Sequence, residues 1–126
     1  MINSRSLDCL EPTFAKLVHR WLQACTDIGL DILVVNTYRD DDYQNWLYAS
    51  GRNRAGRIVT MAKGGASKHN KTPCQALDFC IMDGKRCDWN NIKDFTRAGH
   101  TATSLGMVWA GNWNGALKEV GHIESH

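Results

Sequence analysis

Proline is scarce in this chain, two residues in 126, and there is no low-complexity tract, no Cys-x-x-Cys pair and no long uninterrupted apolar run. Each absence removes a class of protein. With 43% hydrophobic and 22% charged residues, the lack of proline-rich or repetitive sequence excludes a disordered chain. No segment approaches the roughly 20 apolar residues of a membrane span, so stable membrane insertion is not expected. The first residues lack the apolar centre of a signal peptide, which predicts a protein made and held in the cytoplasm until something releases it. The five cysteines, Cys9, Cys25, Cys74, Cys80 and Cys87, are odd in number and irregular in spacing. They indicate neither a disulfide framework nor a zinc ribbon, and reduced thiols are expected, with Cys80 and Cys87 packed in the core.

Acidic residues are missing where basic ones gather. Arg52, Arg54, Arg57, Lys63, Lys68 and Lys71 follow one another with no Asp or Glu between them, although the net charge is only +2. This stretch attracts anions. It carries no aromatic residue for base stacking, so an anionic polymer other than nucleic acid is the better partner, and nucleic-acid binding is not expected.

The length suits one domain over 1–126 with a single core. Phe14, Leu17, Val18, Trp21, Leu22 and Cys25 recur at helical spacing between Pro12 and Thr26, and Gly29 stands beyond the end. Ile32 to Val35 reads as a buried strand ending near Asn36, with Arg39 at its exit. Asp40 or Asp41 caps a second helix, whose expected apolar face is Tyr43, Trp46 and Leu47 and whose end is marked by Ser50 and Gly51. Arg52 to Gly65 reads as a long loop with a possible strand at Ile58 to Met61. Ala76 to Met82 predicts a strand, Ile92 to about Leu105 a third helix, and Met107 to Trp109 and Gly121 to Glu124 two short terminal strands. Helices mixed with short strands predict an α+β fold, helices packed on a mainly antiparallel sheet.

Chemistry concentrates in two segments, Ser67-Lys68-His69 leading to Ala76-Leu77-Asp78, and Glu119-Val120-Gly121-His122-Ile123-Glu124. A catalytic zinc site takes three protein ligands from His, Asp, Glu or Cys and keeps a further position open for water. Asp78 interrupts an apolar strand, where a carboxylate is costly unless a metal or cation compensates it. The spacing Glu119-x-x-His122 brings a carboxylate close to a metal held by the histidine, in reach of a proton that a general base must take. Glu124 competes with Glu119 for that role, or orients a ligand histidine. Arg39 is read as binding substrate or stabilising charge on a carbonyl oxygen, the alternative being a surface pair with Asp40, Asp41 or Asp42. Ser67 is a substrate-binding candidate or a fixer of its loop. Trp109 and Trp113 are candidates for the core or for a cleft wall.

Taken together, Ser4-Arg5-Ser6-Leu7, Thr37-Tyr38-Arg39 with Gln44 and Leu47-Tyr48, Ser67-Lys68-His69, Ala76-Leu77-Asp78, Leu105 to Trp113 and Gly121-His122-Ile123-Glu124 resemble the zinc D-alanyl-D-alanine carboxypeptidase and L-alanyl-D-glutamate endopeptidase family (peptidase family M15), in particular its small phage endolysins. The interval from His69 to Asp78 is longer than in the common family pattern and contains Pro73, and Gly121 stands where proline is usual. The resemblance implies that His69, Asp78 and His122 bind Zn2+, that Glu119 is the general base and that Arg39 contacts substrate or transition state.

What the resemblance implies for function is a monomeric zinc peptidase acting on bacterial peptidoglycan, an endolysin cutting the L-alanyl-D-glutamate bond of the stem and reaching the periplasm and wall only when the host membrane is opened. The alternatives are a D-alanyl-D-alanine carboxypeptidase and a non-catalytic zinc-containing wall-binding module.

Overall fold

The computed structural model describes residues 1–115 and 118–126. Helix α1 runs Pro12–Asp27, with Pro12 in its first turn and the Glu11 carboxylate accepting the Thr13 and Phe14 amide protons that would otherwise lack partners. Strand β1 is Ile32–Asn36, helix α2 Asp41–Ala49, strand β2 Ala76–Asp83, strand β3 Arg86–Cys87, helix α3 Ile92–Ser104, and strands β4 and β5 are Val108–Trp109 and His122–Glu124. The strands form one antiparallel sheet in the order β1-β2-β5-β4, with β3 hairpinned onto the end of β2.

Successive residues of a strand face opposite sides, so β2 serves two environments at once. Leu77, Phe79 and Ile81 face α1 and α3 and are fully or almost fully buried. Phe79 lies 4.9 Å from Trp21 of α1 and 5.6 Å from Phe95 of α3, ring centre to ring centre, and the Trp21 indole donates to the Ala98 carbonyl of α3 at 2.9 Å. Because this aromatic cluster joins both helices to the sheet, Phe79→Ala is expected to cost about 3–5 kcal/mol of unfolding free energy in a denaturant titration. Asp78 points to the opposite face.

The expected elements stand where the sequence places them, with four differences. Ile58 to Met61 forms no strand; Ile58, Val59 and Met61 are exposed and have no strand partner. Strand β3, only two residues long, was not anticipated. Helix α2 turns Gln44 inward and leaves Trp46 44% exposed beneath the Arg54 guanidinium, 3.6 Å from the ring centre, so its buried face is not the expected apolar one. Cys80 and Cys87 are joined as a disulfide across the β2–β3 hairpin, with Cα atoms 5.8 Å apart, whereas Cys9, Cys25 and Cys74 are free thiols. The odd cysteine count concealed that pair, because it does not reveal which two residues a hairpin places side by side. Among the described residues no helix is long and apolar enough to cross a membrane.

Candidate metal centre

Antiparallel register builds the site. Asn36 of β1, Asp78 of β2 and His122 of β5 are direct partners across three adjacent strands, so their side chains share one row on the face away from α1 and α3. His69 enters this row from a 3-10 turn, Lys68–Asn70, capped by Ser67, whose hydroxyl accepts the His69 amide proton. That turn is docked on the exit of β1, where the Arg39 amide donates to the His69 carbonyl at 3.0 Å and the Asn70 side chain donates to the Arg39 carbonyl at 2.9 Å. Ser67 therefore fixes the loop and also lines the cavity beside it.

Three donor atoms converge. His69 Nε2 lies 3.2 Å from Asp78 Oδ1 and 3.3 Å from His122 Nδ1, and His122 Nδ1 lies 3.0 Å from Asp78 Oδ1. The outer ring nitrogens are both committed. His69 Nδ1 donates to the Thr37 carbonyl at 2.6 Å, and His122 Nε2 donates to Glu124 Oε1 at 2.8 Å. A carbonyl only accepts, so in the neutral ring that a metal requires, Thr37 leaves the His69 Nε2 lone pair turned into the triangle. Four-coordinate zinc with bonds of ~2.0–2.2 Å holds its donors roughly 3.3 Å apart. The triangle matches that spacing, and its His, His and Asp donors suit zinc. These residues are placed to hold a metal ion.

Charge around the triangle is balanced by named partners. Arg39 Nη2 meets Asp78 Oδ2 at 2.7 Å, and Lys68 Nζ meets Glu124 Oε2 at 3.2 Å. Arg39 thus pairs with the strand carboxylate and not with its neighbours Asp40 to Asp42. Burial works to raise the Asp78 carboxyl, but the charge of His69 and hydrogen bonds from His122 and His69 outweigh it and hold Asp78 well below the ordinary carboxylate range. Burial likewise opposes the His122 imidazolium, yet hydrogen bonds to Asp78 and Glu124 raise it from 6.5 to about 9 in the metal-free protein.

That shift has a definite sign. A folded-state proton affinity above the unfolded one contributes stability that is whole below pH 6.5 and is lost as pH rises through about 9. Metal binding requires a neutral imidazole and competes with the same proton. Thermal melts in chelator are therefore expected to fall from pH 6.5 to 9, while melts of the zinc-loaded protein do not fall over that interval. A parallel decline in both would separate His122 from the metal.

The two acidic candidates occupy different sides of His122. Glu124 backs the ring at Nε2, away from the triangle. Glu119 Oε2 stands 3.7 Å from Nδ1, on the triangle side, with 45% of its side chain exposed. Burial of the remainder pushes the Glu119 carboxyl up, and the Asp78 charge adds to this while His122 opposes it. Glu119 also borders two cavities that reach the triangle. One, of about 330 Å³, is lined by Met61, Ser67, Lys68 and Trp113 among others; the second, of about 470 Å³, by Asn36, Arg39, Arg57, Thr60 and Trp89 among others. Trp113 is a cleft wall, 5.6 Å from the His122 ring, whereas Trp109 is buried and donates to the Val120 carbonyl. Nothing local in the sequence distinguishes Trp89 from a surface residue, and Arg57 stands out there only as one member of the basic stretch Arg52 to Lys71.

The model of the family described as "VanY: D-alanyl-D-alanine carboxypeptidase" matches residues 8–121. The chain belongs to this family. The chain is 31% identical over 113 residues to the peptidoglycan L-alanyl-D-glutamate endopeptidase CwlK of Bacillus subtilis (strain 168), covering 80% of this chain and 64% of that relative. It thus spans less than two thirds of CwlK's length. Among solved structures, the L-Ala D-Glu endopeptidase ChiX of Serratia marcescens superposes with a TM-score of 0.66 at 14% identity, covering 99% of this chain and 89% of that one. The vancomycin-resistance D,D-pentapeptidase VanY of a VanB-type cassette, solved in complex with Zn(II), gives 0.64 at 14% identity, covering 92% and 72%. At such identities the two structures establish the fold that the VanY family match implies.

Proposed function

We propose that the chain is a zinc peptidase of bacterial peptidoglycan, with His69, Asp78 and His122 as metal ligands, and that it cuts the L-alanyl-D-glutamate bond of the stem. When bound, zinc supplies Lewis-acid polarisation of the scissile carbonyl and lowers the pKa of water to about 7. The protein's own groups do the rest. Glu119, on the open side of the triangle and with its carboxyl pushed up by burial, takes a proton from the attacking water and passes it to the leaving amine. Arg39 holds Asp78 in place and lines the larger cavity, where its guanidinium side supports the charge that grows on the carbonyl oxygen. Glu124 and Lys68 hold the His122 ring from behind.

The observation that carries the endopeptidase reading is that Glu119 lines both the cavity bordered by His69 and His122 and the one bordered by Asp78. Substrate then has room on both sides of the bond that is cut, as the relationship to CwlK also favours. A carboxypeptidase trimming terminal D-alanine is the second reading, favoured by the family description. Two synthetic stems, L-Ala-γ-D-Glu-L-Lys with a blocked N-terminus and the same chain extended by D-Ala-D-Ala, separate them by mass spectrometry. Release of a new N-terminal D-glutamate supports the proposal, and release of D-alanine alone overturns it in favour of the second reading. A role as a phage endolysin, resting on the motif resemblance, adds that cells expressing the protein lyse only when their inner membrane is permeabilised.

A further inference from the structure

We infer that Gln44 is a positioning residue that ties the rim of the substrate cleft to the metal centre. The proposal rests on the metal-centre reading of the triangle. Gln44 is fully buried on the inner face of α2, and its amide oxygen and both amide protons are engaged. Its Oε1 accepts from Arg39 Nη1 at 3.1 Å, while its Nε2 donates both protons, to Thr60 Oγ1 at 3.2 Å and to the Ala62 carbonyl at 2.8 Å. Arg39 in turn reaches Asp78 at 2.7 Å. A continuous path of hydrogen bonds therefore runs from the loop through Gln44 and Arg39 to a ligand of the triangle.

Both ends of that path need the link. Arg39 Nε is buried with no partner among the described residues, so side-chain bonds hold the guanidinium only through Gln44 and Asp78. Residues 57–62 belong to no helix or strand and expose Ile58, Val59 and Met61. Yet Met61 and Ala62 line the cavity that reaches His69 and His122, and Thr60 lines the one that reaches Asp78. A segment without a sheet ladder takes its conformation from the side chains that anchor it. Gln44 is the anchor that also touches the partner of a metal ligand. An amide suits the position because it alone offers one acceptor to the guanidinium and two donors to the loop.

Three variants separate the two ends. Gln44→Glu keeps an acceptor for Arg39 but cannot donate to Thr60 or Ala62. Gln44→Leu removes both functions. Thr60→Val removes a loop contact and leaves Gln44 itself in place, so it carries the test if either buried variant fails to melt cooperatively. Trypsin cleavage after Arg57 and Lys63 in the metal-free proteins reports the rim without any catalysis, and competition with a chromophoric chelator reports zinc affinity. Nicking is expected to accelerate at least threefold in all three variants. Zinc affinity is expected to fall about 10-fold or more in Gln44→Leu, the usual cost of losing a partner behind a metal ligand, and to stay within threefold of wild type in Gln44→Glu and Thr60→Val. Unchanged nicking in Gln44→Glu, or in Thr60→Val where that variant carries the test, overturns the anchoring. Wild-type zinc affinity in a folded Gln44→Leu overturns the link to the metal centre. Failure of the wild type to bind zinc at all overturns the metal reading, while the nicking comparison still decides the anchoring.

Discussion

Glu119→Gln is expected to bind zinc as the wild type does, melt at the same temperature and lose roughly 100- to 10,000-fold of kcat on a stem peptide, the range attributed to a positioned general base. The substitution keeps the shape of the side chain and its capacity to accept a hydrogen bond but removes its ability to take a proton. Glu119 is the acidic residue on the triangle side of His122, standing 3.7 Å from Nδ1 and open to both cavities. Glu124→Gln should behave differently. It disturbs the hydrogen bond at His122 Nε2 and the pairing with Lys68, so its effect appears in zinc affinity, by about 10-fold or more. Metal content, melting temperature and kcat measured on both variants assign the two glutamates. Equal losses of kcat with zinc retained in both would contradict the assignment of Glu119 as base.

Asp78→Asn is expected to abolish stoichiometric zinc binding and to destabilise the metal-free protein as well. The carboxylate compensates the Arg39 guanidinium and lies 3.2 Å from His69 Nε2 and 3.0 Å from His122 Nδ1. Removing its charge leaves a largely buried cation without its partner, which costs about 3–5 kcal/mol in well-enclosed pairs. With 18% of the Asp78 side chain still exposed, the lower end of that range is expected, about 3 kcal/mol by urea titration in chelator. The two variants therefore separate cleanly. Glu119→Gln loses turnover and keeps the structure, whereas Asp78→Asn loses metal and stability together.

Much of the fold was legible because its strongest signals are local. The helical spacing from Phe14 to Cys25 puts α1 where it stands with its face buried, and the β-branched run at Ile32 to Val35 puts β1 where it stands. That strand is only partly buried, with Leu33 exposed, and not the buried strand expected, because it lies at the edge of the sheet. The β-branched pair Ile58-Val59 misled because propensity does not supply a neighbouring strand, and none lies beside this loop. On α2 the apolar rule failed for a stronger reason. The inner face provides hydrogen bonds to Arg39 and to the loop through the buried Gln44, while Trp46 lies outside under Arg54.

The site was legible as chemistry and as resemblance, but not as geometry. Two histidines and an aspartate suggested a ligand set. The register that puts Asp78 opposite His122 and Asn36 belongs to long-range strand pairing, which no short window of sequence contains. Arg39 illustrates the same limit. Its sequence neighbours are three aspartates, yet its ion pair is with Asp78, because the turn after β1 directs the guanidinium across the sheet.

The most direct test of the account is hydrolysis of purified Gram-negative peptidoglycan by metal-stripped protein during stepwise return of zinc, with released fragments identified by mass spectrometry. The account predicts no release from the stripped protein, a rise that ends at one zinc per chain, and fragments carrying a new N-terminal D-glutamate. Undiminished release from the stripped protein, or full zinc binding with no peptide bond cut, would contradict it.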